Sequence, residues 1–157
     1  MNSNSEKKLG GAKRQTILLV DDDPSVREVL GRVLAAEGYV VLAAANGEEA
    51  LEVAVSNKIH LVLLDLNMPG QGGWETCVKL TAHDPLRPVI IVTAQPNQLF
   101  MSAGAGASAL LEKPFDYLQM LRIVRTVLSE SPQTRWARGS GQHADFHYLA
   151  SGGEALA

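Results

Sequence analysis

Four short, uninterrupted apolar runs, each closing on a polar group, constrain this chain more than any other feature. They are Ile17-Leu18-Leu19-Val20 before Asp21-Asp22, residues 61–64 before Asp65, Val89-Ile90-Ile91-Val92 before Thr93, and Ala109-Leu110-Leu111 just before Lys113. A strand that is apolar at every position, not at alternate ones, must be covered on both faces. Helical patterns lie between the runs. Asp23-Pro24 reads as an N-cap and first helical residue, followed by Val26, Val29, Leu30, Val33 and Leu34 at helical spacing up to Gly38. Residues 39–44 read as a further strand, Asn46-Gly47 as a turn, and the segment from Glu48 as a helix with Ala50, Leu51 and Ala54 inward. The glycine-rich stretch 66–73 reads as a loop. Helices are predicted over residues 74–82, 98–103 and 115–129, the last with Leu118, Leu121, Val124 and Leu128 on one face. Such alternation predicts an α/β fold, a doubly wound five-stranded parallel sheet with helices on both sides. Ligands of such sheets bind beyond the carboxyl ends of the strands, where strand order reverses.

Asp21, Asp22, Asp65, Thr93 and Lys113 all stand at that edge. Two carboxylates about 4 Å apart repel by roughly 4 kcal/mol at an effective dielectric near 20. Three together call for a cation, and a hard divalent ion with oxygen ligands suits them; Mg²⁺ is the usual choice beside phosphate. With the lysine as a second positive group, the site is suited to gaining a phosphoryl group on a carboxylate nucleophile. The Thr93 hydroxyl is a hydrogen-bond donor for a phosphoryl oxygen.

The segments ILLVDDDPSVR, LVLLDLNMPGQGGWE, VIIVTA and LLEKPF together resemble the four signature segments of bacterial response-regulator receiver domains, in the family's order, over residues 16–130. The resemblance implies a flavodoxin-like receiver fold with strand order 2-1-3-4-5. It also implies roles: Asp65 as phosphoacceptor, Asp21 and Asp22 as metal ligands with Asp65, Asn67 giving its backbone carbonyl to the same ion, Thr93 and Lys113 binding the phosphoryl group. Pro114 would follow a cis peptide bond, and Gly72 or Gly73 would permit the turn that closes the pocket. Asn67 and Gln95, by family position, tune the lifetime of the phosphorylated form; neither is a good general base, so self-dephosphorylation is expected to be moderate. Two departures stand out. Leu110 occupies the place, three before the lysine, where the family carries an aromatic switch residue. The interval from Thr93 to Lys113 is shorter than the family's usual one, so the fourth helix should be short and the small-residue stretch 102–107 unusual.

The implied partners are a sensor histidine kinase or histidine phosphotransfer protein, an unidentified downstream protein, and a second copy through the fourth helix, fifth strand and fifth helix. No enzymatic turnover beyond self-phosphorylation and self-dephosphorylation is expected. A dehalogenase-like phosphatase would need a general acid where Asn67 stands. A receiver-like interaction module that works without phosphorylation is the alternative reading, favoured by Leu110.

The chain's 157 residues suit one domain with modest tails. Residues 1–15 read as a flexible polar leader and residues 131–157 as a flexible tail, or as a docking segment with Trp136, Phe146 and Tyr148 as anchors. A net charge of -3 argues against nucleic-acid binding driven by overall charge. Cys77 is the one cysteine, which excludes an intrachain disulfide; it reads as a structural thiol. His143 and His147 read as a coincidence of the tail and not a metal pair. No apolar stretch is long enough to span a bilayer, and a cytoplasmic location is expected.

Overall fold

The computed structural model describes residues 14–69, 72–95, 97–140, 145–152 and 155–156. The expected leader falls almost wholly outside them. The elements run β1 (Thr16–Val20), α1 (Pro24–Ala36), β2 (Val40–Ala44), α2 (Gly47–Ser56), β3 (Leu61–Asp65), α3 (Gly73–His83), β4 (Val89–Thr93), α4 (Leu99–Gly104), β5 (Ala109–Glu112), α5 (Tyr117–Leu128), α6 (Pro132–Gly139), β6 (His147–Leu149) and β7 (Ala155–Leu156). They form one sheet of order β2-β1-β3-β4-β5-β6-β7.

The first five strands pair in parallel, in the expected 2-1-3-4-5 order. The sheet does not stop there. β6 pairs in parallel with β5, and the two-residue β7 pairs antiparallel with β6. The five-stranded expectation is therefore corrected to six parallel strands and a short antiparallel one.

Local chemistry sets where the helices begin. Asp23 caps α1, its carboxylate accepting the Ser25 amide at 2.8 Å, and Pro24 follows in the first turn. Asn46 caps α2 by accepting the Glu49 amide at 2.9 Å, while Glu49 reaches back to the Ala45 amide at 3.0 Å. Asp116 and Ser131 cap α5 and α6 in the same way. Gly38, at φ 93°, takes the left-handed conformation that ends α1. α4 has six residues, short as the Thr93–Lys113 interval predicts.

Both faces of the sheet are covered. Ile17, Leu19, Leu63, Ile90 and Leu111 pack against Leu30 and Leu34 of α1 and Leu121 and Val124 of α5. Leu18, Val20, Val62, Leu64, Ile91 and Leu110 pack against Ala50 and Ala54 of α2 and Cys77 and Leu80 of α3. Leu118, expected on the inner face of α5, is 70% exposed; the buried stripe is carried by Met120, Leu121, Ile123, Val124, Val127 and Leu128. Leu118 keeps the three-residue spacing to Leu121, but it sits in the first turn of the helix, where it stays exposed. Val29 of α1 is likewise half exposed.

In the segment after residue 130, α6 and β6 lie among the described residues. Polar contacts hold them. The Arg138 guanidinium makes two hydrogen bonds to Glu130, at 2.7 and 2.8 Å, and a third to Ser108 Oγ at 3.0 Å. His147 Nε2 meets the same Glu130 at 3.2 Å, and Arg135 donates to the carbonyls of Val127 and Leu128 that end α5. Burial would raise the Glu130 pKa, but the hydrogen bonds from His147 and Arg138 win and hold it below the ordinary value of 4.5.

A depressed carboxylate pKa is a stability contribution that is complete above the unfolded value and disappears as the pH falls through the folded one. Arg138→Ala is expected to lower the urea-unfolding free energy by about 3 kcal/mol at neutral pH, since it leaves a buried carboxylate short of its partner. The gap between the variant and the native chain should narrow in acid, below the ordinary glutamate value of 4.5, to what the Ser108 contact contributes. Unfolding curves over a pH series check both the size and the narrowing.

Candidate functional site

The edge formed by the carboxyl ends of β1, β3, β4 and β5 gathers the polar residues. Asp21 follows β1 directly, with its amide donating to the Ala44 carbonyl at the end of β2. Asp65 closes β3 and pairs in register with Val92, one residue before Thr93. Thr93 pairs with Glu112, and the Lys113 amide donates to the Thr93 carbonyl at 2.8 Å. Strand burial on both faces thus fixes the depth at which each polar group emerges.

Asp21, Asp22 and Asp65 each bring a carboxylate oxygen within 4.8 Å of the others. Asp21 and Asp65 are buried, at 3% and 4% exposure, while Asp22 is open to solvent. Lys113 Nζ lies 3.5 Å from Asp21 and 3.6 Å from Asp65. One ammonium against three carboxylates leaves the cluster two charges negative. Burial raises the Asp21 pKa, and the charge of Asp65 adds to that; the Asp23 amide, donating at 2.9 Å, and the Lys113 ammonium oppose it. A group held uncomfortably charged in this way is relieved by a divalent cation, and an all-oxygen donor set matches a hard one. The residues present therefore fit a hard divalent cation such as Mg²⁺, which Asp21, Asp22 and Asp65 could hold.

Backbone donors orient the carboxylates. The Asn67 amide donates to Asp65 Oδ1 at 2.9 Å, which turns the chain just where the resemblance implies a ligand carbonyl at Asn67. Gly73 makes the same turn possible by close approach. A Cβ there would lie 2.6 Å from Leu66 Cα and 2.8 Å from the Leu66 carbonyl oxygen, so any larger residue must push the Asp65–Leu66 backbone away. The Thr93 side chain is fully buried, and its Oγ1 accepts the Gln95 amide at 3.0 Å. The Lys113–Pro114 bond is cis.

The structure brings together Asp21, Asp22, Asp65 and Lys113, and places Thr93 and Asn67 beside them in sequence and register. Cys77 lies elsewhere, buried, with its thiol pushed up to about 12 by desolvation, so it is no nucleophile at neutral pH. His143 is outside the described residues, and His147 is engaged with Glu130. Sequence reading missed Arg27, which donates to the Asp21 carbonyl at 2.7 Å and so holds the acidic turn from within α1. Its signal was its place one turn into the helix that follows the acidic triplet. Also missed was an apolar groove of about 570 Å³ beside Lys113, lined by Val26, Val29, Phe115 and Tyr117 among others.

Comparison with known proteins decides the family. The model of the response regulator receiver domain matches residues 17–125. The chain belongs to the response-regulator receiver family. The chain is 40% identical over 114 residues to the response regulator MprA of a Mycobacterium species (71% of this chain, 50% of MprA). It is 32% identical over 154 residues to the transcriptional regulatory protein YvrH of Bacillus subtilis (90% of this chain, 64% of YvrH). The chain thus spans between half and two-thirds of these relatives. Among solved structures, a CheY-like receiver from Methanospirillum hungatei superposes with a TM-score of 0.71 at 30% identity, covering 74% of this chain and 94% of that one. The response regulator TrrA of Thermotoga maritima, solved with Mg²⁺ and beryllium fluoride, gives 0.68 at 34% identity, covering 72% and 98%. Receiver domains bind Mg²⁺ in an acidic pocket and take phosphoryl groups from histidine kinases. Among the described residues, no helix is long and apolar enough to cross a membrane.

Gly73→Ala tests the close approach that shapes the receiver's acidic loop. It should destabilise the chain by about 1–3 kcal/mol through overpacking and weaken Mg²⁺ binding, whereas Gly72→Ala, with nothing within 4 Å of its added Cβ, should do neither through contact. Thermal unfolding with and without Mg²⁺ reads both effects.

Proposed function

We propose that this receiver accepts a phosphoryl group on Asp65 from a histidine kinase or a histidine phosphotransfer protein, and that it signals by altered contacts with other proteins. The observation that carries the reading is the buried Asp65 carboxylate, held against Asp21 and Asp22 and within 3.6 Å of the Lys113 ammonium. An isolated carboxylate in that position would be a costly feature with no structural return.

In the proposed step, the ionised Asp65 carboxylate attacks the phosphorus of a phosphohistidine. An oxygen–phosphorus bond forms as the nitrogen–phosphorus bond breaks, and the departing imidazole keeps the electron pair and takes up a proton. Mg²⁺, held by Asp21, Asp22, Asp65 and the Asn67 carbonyl, would neutralise phosphoryl oxygens during the transfer. Lys113 moves its ion pair from the carboxylate to the new phosphoryl oxygens. Thr93 releases the Gln95 amide contact and donates its hydroxyl to one of them. The groove beside Lys113 gives the donor protein an apolar surface next to the reacting carboxylate, with Val29 and Tyr117 half exposed along it.

No turnover beyond gain and loss of this group is proposed, and the location is taken as cytoplasmic. The lifetime of the phosphorylated form should be moderate, because Asn67 and Gln95 offer no base to activate water. A second reading, of an interaction module that works without phosphorylation, rests on Leu110, which is fully buried and carries no aromatic ring or hydroxyl.

Incubation with Mg²⁺ and acetyl phosphate separates the two. Phosphorylation at Asp65 predicts an added phosphoryl mass that is abolished by EDTA and by Asp65→Asn, and that is slowed by roughly a hundredfold or more in Lys113→Ala, the size of effect seen when one charge-stabilising donor is removed. Absence of the mass in the native chain would leave the second reading.

A further inference from the structure

Residues 112–114 are gripped from outside the pocket as well as from within it. Tyr148, in register with Leu110, donates its hydroxyl to the Glu112 carboxylate. The Gly152 amide, in the turn after β6, donates to the Pro114 carbonyl at 3.0 Å. Lys113 lies between these two anchors, and its own amide donates to Thr93. Glu112 is the register partner of Thr93, so by strand alternation the two side chains share one side of the sheet. β6 itself is fastened at its far end, where the His147 amide donates to Ser108 and Glu130 binds both Arg138 and His147. None of these contacts takes part in the transfer chemistry, yet they flank Lys113, which reaches both buried carboxylates.

We propose that Tyr148 is a positioning residue for Lys113, and that the segment 145–152 is the element through which phosphorylation of Asp65 is read out within this chain. The inference rests on the assignment of Asp65 made above. Its sign follows from ordering. Fixing a turn such as 112–114 costs conformational entropy. Whichever event orders the turn first, docking of β6 or occupation of the pocket, spares the other that cost, so the two strengthen each other. A phosphoryl group adds negative charge opposite the Lys113 ammonium and tightens the turn from the inside; Tyr148 and Gly152 tighten it from the outside. Such coupling acts equally in both directions.

Hydrogen exchange on the full chain tests this, with Mg²⁺ and beryllium fluoride as a phosphoryl mimic and Mg²⁺ alone as reference. The amides of His147 and Gly152 should exchange roughly fivefold or more slowly with the mimic bound. Tyr148→Phe should bind the mimic more weakly by a similar factor and lose most of that slowing, with β1 and β3 amides unchanged; Glu112→Ala should behave alike. The response of the Leu66 and Asn67 amides reports occupation of the pocket independently. If they respond while His147 and Gly152 do not, or if Tyr148→Phe binds the mimic as the native chain does, the inference is wrong and the assignment of Asp65 stands. If Leu66 and Asn67 give no response, the assignment of Asp65 falls and the inference with it.

Discussion

Gathering three carboxylates within 4.8 Å of one another is the constraint around which this fold is organised. Two carboxylates about 4 Å apart repel by roughly 4 kcal/mol at an effective dielectric near 20, less where Asp22 is open to solvent, and Lys113 offsets only part of it. The opposing force comes from the strands. Ile17, Leu18, Leu19, Leu61, Leu63, Leu64, Ile90, Ile91, Leu110 and Leu111 are all fully buried, and burial of one such side chain is worth about 1.5–3 kcal/mol. The strands cannot slide to separate the acids without pulling this apolar surface out of register. The same side chains that stabilise the domain therefore hold the site in its charged, cation-seeking arrangement.

That coupling explains why so much was legible. A strand buried on both faces is apolar throughout, so its carboxyl end shows in the sequence as the first polar residue. Asp21, Asp65 and Thr93 stand there, and the structure places them at one edge. The start of α1 was equally visible, because Asp23 bonds an exposed amide of the turn that follows it; Asn46, read as a turn, and Asp116, read as part of the last helix, cap α2 and α5 in the same way. Helix faces were harder to read. Leu118 matched the apolar spacing of α5 but lies in its first turn, beyond the reach of the sheet, where nothing in the spacing distinguishes it from Leu121.

The segment after residue 130 was not legible, and the reason is physical. β6 has three residues, too few for a periodicity to register, and α6 has no buried residue. What fixes them is not an apolar face but a polar cluster whose members, Glu130, Arg138 and His147, are spread over 18 positions and meet Ser108 on β5. Hydrogen bonds between distant side chains leave no local pattern. Arg27 escaped notice for a different reason: it is near in sequence, but the group it holds is a backbone carbonyl, which no residue type announces.

The added strand also changes what Leu110 means. On a β5 that formed the edge of its sheet, a residue at 110 would have one flank open, and an aromatic ring there would be free to swing between solvent and interior. Here β6 occupies that flank, with Tyr148 level with Leu110. A side chain at 110 has nowhere outward to go, and a compact apolar residue at 0% exposure is what such an enclosed position accommodates. The phenolic group sits instead one strand further out, bonded to Glu112. The face expected to pair with a second copy is accordingly met first by the chain's own β6, and any partner that reads this side of the receiver must engage or displace that strand.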